Sequence, residues 1–256
     1  MQYVGRLAQI QQAASRTADY AARRAATFHE LRPSTGEVIL EIGCGSGLFA
    51  REIAQAVGAA GRTCAIDVSP AQVEAARFNC DGLSNVELRV GSALALPFGD
   101  ATFDAVASIQ VLEYIDDAPK ALVETRRVLR PGGRFVNFAT NWGALFWNSG
   151  QPARTQQVLR AWDTHAPYPN LPAVLRAFLL DAGFSEIHQS PVSILNTTYD
   201  QETYSYWLAR LMAAFAAERQ SMTEAAAEQW LEDLAEAQRR NEYMFCSIAV
   251  VTRAVR

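Results

Sequence analysis

Three glycines two residues apart, Gly43, Gly45 and Gly47, separate a short β-branched run, Val38-Ile39-Leu40-Glu41-Ile42, from a helically patterned stretch, Leu48 to Val57. Glycine admits backbone angles that side chains forbid, and a helix start presents N–H groups without helical partners. The segment therefore reads as a strand, a turn that a ligand can touch, and a helix.

The alternation repeats along the chain. Strands are expected at residues 63–66, 86–90, 103–108, 134–139, 185–195 and 244–252, with helices at 71–78, 118–129, 171–182, 201–219 and 222–241. Alternating strands and helices imply right-handed crossovers and a parallel sheet covered on both faces. An open doubly wound α/β sheet is the expected architecture. Residues 6–32 carry apolar groups at helical intervals, from Leu7 to Leu31, and read as one N-terminal helix ended by Pro33 and Gly36. Residues 140–170 hold Trp142, Trp147 and Trp162, several prolines and no clear period, and read as a lid or substrate segment.

The 256 residues suit one domain: a helical cap at 1–35, a core at 36–139, and a lid, substrate-binding insertions and last strands at 140–256. Net charge is 23 basic minus 27 acidic residues, or -4, which gives no bulk attraction for a polyanion, so no nucleic-acid partner is expected. Cys44, Cys64, Cys80 and Cys246 are scattered, with no metal-ligand spacing, and read as free thiols in a reducing compartment. No signal-peptide core is seen, and no run approaches the ~18 apolar residues that would cross a bilayer. A cytoplasmic protein with no bound metal and no membrane partner is the expectation.

Asp67 lies 20 positions after Gly47 at the end of the second strand, where a carboxylate can accept ribose hydroxyls. A dinucleotide site wants a small residue at the sixth motif position, which here is Leu48. Glu41 would repel a pyrophosphate but attract an ammonium group. A nucleoside cofactor with an amino acid end and no phosphates fits these residues better.

The stretch from Val38 to Gly47 resembles motif I of the class I S-adenosylmethionine-dependent methyltransferases, and further similar stretches follow in the family's order. They are Ala65-Ile-Asp-Val-Ser-Pro70, Gly91 to Phe98, Phe103 to Ser108 with Val111 to Ile115, and Val128 to Arg134, so the likeness covers about residues 36–139. The resemblance implies a Rossmann-like, mostly parallel seven-stranded sheet with an antiparallel last strand. It also implies S-adenosylmethionine as cofactor and S-adenosylhomocysteine as product. The residues it assigns to the cofactor are Glu41, Gly43, Cys44, Gly45, Gly47, Asp67 on the ribose, Val68 on the adenine face, Gln72 at the adenine edge, Ser92, Ala93 and Ser108. Gln110, after the fourth strand, would line the junction with the acceptor, and Tyr20 would reach the methionine end from the cap. Two departures stand out: Ser92 replaces an acid at the adenine amino group, and Tyr114 replaces a frequent histidine.

Methyl transfer from a sulfonium is an in-line displacement of an already activated group, so positioning matters more than a base. Where the acceptor carries a proton, a base adds ~10²–10⁴-fold. Of His29, His165 and His188, His165 lies in the lid-like segment and is the candidate catalytic residue. Tyr114, Trp142, Trp147, Tyr199 and Tyr204 are the candidate substrate residues, the aromatic ones also serving as core. The stripe Tyr204, Leu208, Leu211, Met212 and Phe215 reads first as packing, then as a lid or homodimer contact. A small-molecule acceptor is favoured. A protein or nucleic-acid methyltransferase, a NAD-dependent oxidoreductase and a cofactor-binding protein without methyl transfer are the alternatives. Arsenite methylation is disfavoured by the scattered thiols.

Overall fold

The computed structural model describes Ile10, residues 13–219 and residues 221–256. Helices are α1 Ala18–Leu31, α2 Leu48–Val57, α3 Pro70–Asn79, α4 Ala118–Val128, α5 Pro152–Trp162, α6 Leu171–Asp181, α7 Tyr204–Glu218 and α8 Glu224–Arg239. Strands are β1 Val38–Ile42, β2 Arg62–Asp67, β3 Val86–Val90, β4 Phe103–Ile109, β5 Leu129–Thr140, β6 Phe146–Asn148, β7 Ser185–Asn196 and β8 Met244–Val255. The chain divides into two compact units. The larger comprises Arg24–Ala139, Leu171–Pro191 and Val250–Arg256; the smaller comprises the described residues up to Arg23 with Thr140–Asn170 and Val192–Ala249.

In the larger unit five parallel strands run in the order β3-β2-β1-β4-β5. Strand order reverses between β1 and β4, the place in an open α/β sheet where a crevice forms beyond the carboxyl ends. Register sets Ile42 beside both Ile66 and Ser108, and Asp67 beside Val90, so these strands end at one edge. β1 and β4 are central and almost wholly buried, which explains why they read as continuous apolar runs rather than alternating ones. Helix α2 buries Phe49, Ala50, Ile53, Ala54 and Val57 at three- and four-residue spacing. Full burial of Phe49 or Ile53 contributes roughly 1.5–3 kcal/mol each. Helix α3 starts where Ser69 accepts from the Gln72 N–H and Pro70 occupies the first turn.

The last strand is antiparallel: Phe146, Trp147 and Asn148 of β6 pair with Cys246, Phe245 and Met244. Arg256 and residues 132–133 exchange backbone bonds at the other end of β8. The three-residue β6 brings the described strands to eight, one beyond the seven expected.

The smaller unit is an aromatic core of Trp142, Trp147, Trp162, Trp230, Phe215 and Phe245 held by α5, α7 and α8. Residues 140–170, expected to be irregular, contain a 3₁₀ turn at Trp142–Ala144, β6 and α5. Helix α5 buries Thr155, Val158, Ala161 and Trp162. Its period is carried partly by a threonine and an alanine, so an apolar/polar pattern does not display it. The expected helix over 6–32 is α1 preceded by a turn at 15–17; the start of that expectation, with Leu7, lies outside the described residues. The stripe on α7 is buried within this unit, as packing requires, so self-association would need another surface.

Candidate active site

At the head of β1 the glycine turn is closed by its own hydrogen bonds. The N–H groups of Gly43 and Cys44 donate to the Ile66 carbonyl at 2.8 and 2.9 Å, and that of Gly47 donates to the Cys44 carbonyl at 2.8 Å. Gly45 N–H donates to Asp67 Oδ2 at 2.9 Å, and the other oxygen of Asp67 accepts from Ser69 N–H at 2.9 Å. Each carboxylate oxygen still has a second lone pair. The expectation that this turn offers free N–H groups is corrected for these four residues, because the neighbouring strand and its terminal acid take them up. A phosphate cradle needs several such donors. This turn suits a ligand without phosphates.

What the turn does offer is space. A Cβ added to Gly47, at φ +79°, would lie 2.7 Å from Ala76 Cβ and 2.9 Å from its Cα, so this glycine is required by α3 packing. A Cβ on Gly45, at φ +50°, would meet nothing closer than Gln72 Oε1 at 4.0 Å. The open side of the turn is over Gly45, beside Gln72. Val68, next to Asp67, is 65% exposed, an apolar surface unusual for a strand end and suited to a flat heteroaromatic ring.

Glu41 is buried beneath the turn, and its Oε2 has no hydrogen-bond partner. Burial, then the charges of Glu52 and Asp67, pushes its carboxyl well above the ordinary range. An orphaned buried carboxyl oxygen calls for a cation or donor. Among the other expected cofactor residues, Cys44 and Ala93 are buried, and Ser108 is fully buried with its hydroxyl 2.7 Å from Asn137 Oδ1. Their side chains are packed away, which leaves the backbone as the part of each that a ligand could meet. Burial pushes the Cys44 thiol up, so it is protonated and unreactive. The Ser92 hydroxyl accepts from Leu94 N–H at 3.2 Å. Gln110 follows β4 at φ 56°, its N–H donating to the Phe138 carbonyl at 2.8 Å. Tyr114 is half-buried in the 3₁₀ turn Leu112–Tyr114 of the same unit.

Asn137 was not among the expected residues. It is fully buried, its Nδ2 lacks a partner, and it stands in register with Ser108. The available signal was one amide inside the apolar run Phe135-Val-Asn-Phe-Ala139.

In the smaller unit His165 is 5% exposed and stacks on Trp162, with ring centres 4.0 Å apart, while Trp142 meets it edge-on at 4.9 Å. Its Nδ1 lies 2.6 Å from the Trp162 carbonyl oxygen. A carbonyl can only accept, so Nδ1 carries the proton and Nε2 the lone pair. Burial lowers the imidazole to about 4, which keeps it neutral at physiological pH. Trp147 is core: its Nε1 donates to Tyr243 Oη at 3.2 Å and its ring packs on Trp230 and Phe245. Tyr204 is 2% exposed and packs on Tyr20, with the Arg23 guanidinium over both rings. Trp147 and Tyr204, expected at the substrate, have these framework partners in the smaller unit's core. The Tyr199 hydroxyl accepts from Arg210 at 2.8 Å, and burial pushes it up to about 12. Among the described residues no group of acidic, histidine or cysteine side chains could hold a metal ion, and no helix is long and apolar enough to cross a membrane.

A glycine turn with its N–H groups engaged, an acid at the end of β2 and a sheet that reverses at β1 together make an open α/β unit with a switch point at its carboxyl edge. The family described as "Methyltransferase domain" matches residues 40–137. The 2-phytyl-1,4-naphtoquinone methyltransferase of Thermosynechococcus vestitus is 37% identical over 174 residues, covering 61% of this chain and 76% of that protein. The demethylmenaquinone methyltransferase of Lactococcus lactis is 34% identical over 124 residues, 48% of this chain and 49% of that protein. The chain spans about a third to a half of the length of several curated relatives it matches. The crystal structure of the YcgJ protein from Bacillus subtilis superposes with a TM-score of 0.65 at 18% identity, covering 92% of this chain and 98% of that one, a likeness of fold. The chain belongs to the class I S-adenosylmethionine-dependent methyltransferase family.

Proposed function

We propose that this protein transfers the methyl group of S-adenosylmethionine to a small-molecule acceptor by in-line displacement. The observation that carries the reading is the pairing, at the ends of β1 and β2, of a turn whose glycine N–H groups are already engaged with a buried, half-unpartnered carboxylate. That combination suits an ammonium-bearing nucleoside and opposes a pyrophosphate. When bound, the cofactor supplies a methyl group already activated on its sulfonium.

The chain's own residues then bind and orient. Asp67 has lone pairs left for the two ribose hydroxyls while its other contacts fix Gly45 and Ser69. Val68 offers its exposed face to the adenine, and Gln72 stands at the turn's open side. Glu41 Oε2 faces the amino acid end as a hydrogen-bond acceptor. His165, neutral and with its lone pair on Nε2, is the proposed proton acceptor for a hydroxyl-bearing substrate. Relatives named for quinone methylation and O-methylation support a small, largely apolar acceptor. The net charge of -4 gives no support to a polyanionic one.

Calorimetric titration tests the reading. S-adenosylmethionine and S-adenosylhomocysteine should bind the wild type, and Asp67→Ala should raise Kd by at least about tenfold, as loss of hydrogen bonds to a charged group implies. Tight binding of NAD with no response to S-adenosylmethionine would overturn the proposal.

A further inference from the structure

The chain has five tryptophans, and their indole N–H groups fall into two sets. Trp147 Nε1 donates to Tyr243 Oη at 3.2 Å, Trp207 Nε1 to the Gln201 carbonyl at 2.8 Å, and Trp230 Nε1 to Thr155 Oγ1 at 3.1 Å. Trp142 and Trp162 Nε1 have no partner, although these rings are only 4% and 1% exposed. A buried donor left without an acceptor costs about 1–3 kcal/mol, so folded proteins rarely keep two in one cluster.

The two orphans share a neighbour. Trp142 and Trp162 lie 5.6 Å apart, ring centre to ring centre, and both contact His165. Other buried groups of the same unit are paired, as in the Ser149–Thr155 hydroxyls at 2.6 Å. Both unmet indole donors thus flank the unit's one buried histidine.

We infer that Trp142 and Trp162 form a binding site for the oxygen of a phenol-type ligand. Each N–H calls for an acceptor lone pair, which an oxygen provides and an ammonium or a hydrocarbon does not. The aromatic surroundings favour a flat apolar body. A neutral imidazole adds no charge that would demand a carboxylate. The inference rests on the methyltransferase reading and deepens it by naming the class of acceptor, a phenol-type molecule held through its oxygen. Because the rings are at most 5% exposed, the ligand is admitted by local opening.

The test uses the full chain with ¹⁵N-labelled tryptophan and saturating S-adenosylhomocysteine, titrated with phenol and, separately, with toluene. Phenol should move the Trp142 and Trp162 indole protons downfield, and toluene should not. Trp142→Phe and Trp162→Phe assign the resonances, with Trp147→Phe, Trp207→Phe and Trp230→Phe completing the assignment by elimination should either fail to fold. In each of the first two variants the preference for phenol over toluene should fall about 5-fold, the effect of one neutral hydrogen bond, with S-adenosylhomocysteine affinity unchanged. Resonances that stay in place with phenol, or move alike with both probes, overturn the inference. Failure of S-adenosylhomocysteine to bind counts instead against the methyltransferase reading, and is read separately by calorimetry.

Discussion

Replacing Glu41 by glutamine should make the ligand-free protein more stable and the cofactor complex weaker. The carboxyl is buried, one oxygen lacks a partner, and Glu52 and Asp67 add like charge. A neutral amide of the same shape relieves a buried unmet charge, a gain of about 1–2 kcal/mol. For a chain of this size that is roughly 2–4 °C in Tm per kcal/mol. The sign with pH follows from the raised carboxyl. The contribution of this carboxyl to wild-type stability is greatest below the ordinary value of 4.5 and declines as pH rises through the folded value. The variant's advantage should therefore be absent near pH 4.5 and grow as pH rises; all other titrating groups are common to both proteins and cancel. Cofactor affinity should fall about 10- to 100-fold, the loss of a charge-assisted bond. Urea unfolding across pH, with calorimetry at pH 8, measures both. A variant less stable than wild type at pH 8, or one of equal affinity, refutes the reasoning.

Two further predictions concern the turn and the imidazole. Gly47→Ala should cost over about 3 kcal/mol because its Cβ meets the Ala76 backbone, whereas Gly45→Ala should cost about 1–2 kcal/mol for its left-handed angle yet lower cofactor affinity over tenfold. Urea midpoints in the opposite order would contradict this account of the turn. His165 is lowered to about 4 from 6.5, so the stability it confers is full above pH 6.5 and lost as pH falls toward 4, on the order of 3 kcal/mol. His165→Phe should flatten that part of the pH–stability curve, and an unchanged slope relative to wild type would show that the ring is solvated.

The sequence determined what depends on near neighbours along the chain. Val38–Ile42, the glycines and Leu48–Val57 declare strand, turn and helix, because side-chain period and backbone freedom are local properties. Asp67 was legible for the same reason: it ends the strand after the glycine turn's helix. Tertiary structure decided how those groups are used. The Gly43, Cys44 and Gly45 N–H groups are engaged only because Ile66 and Asp67 arrive from the adjacent strand, and the orphaned oxygen of Glu41 is a consequence of what surrounds it in space. Helix α5 escaped because its buried face includes Thr155 and Ala161, residues whose burial their chemistry does not announce. The neutral His165 and the unmet donors of Trp142 and Trp162 belong to the same class. Burial and hydrogen-bond satisfaction are set by residues distant in sequence, which no local spacing encodes.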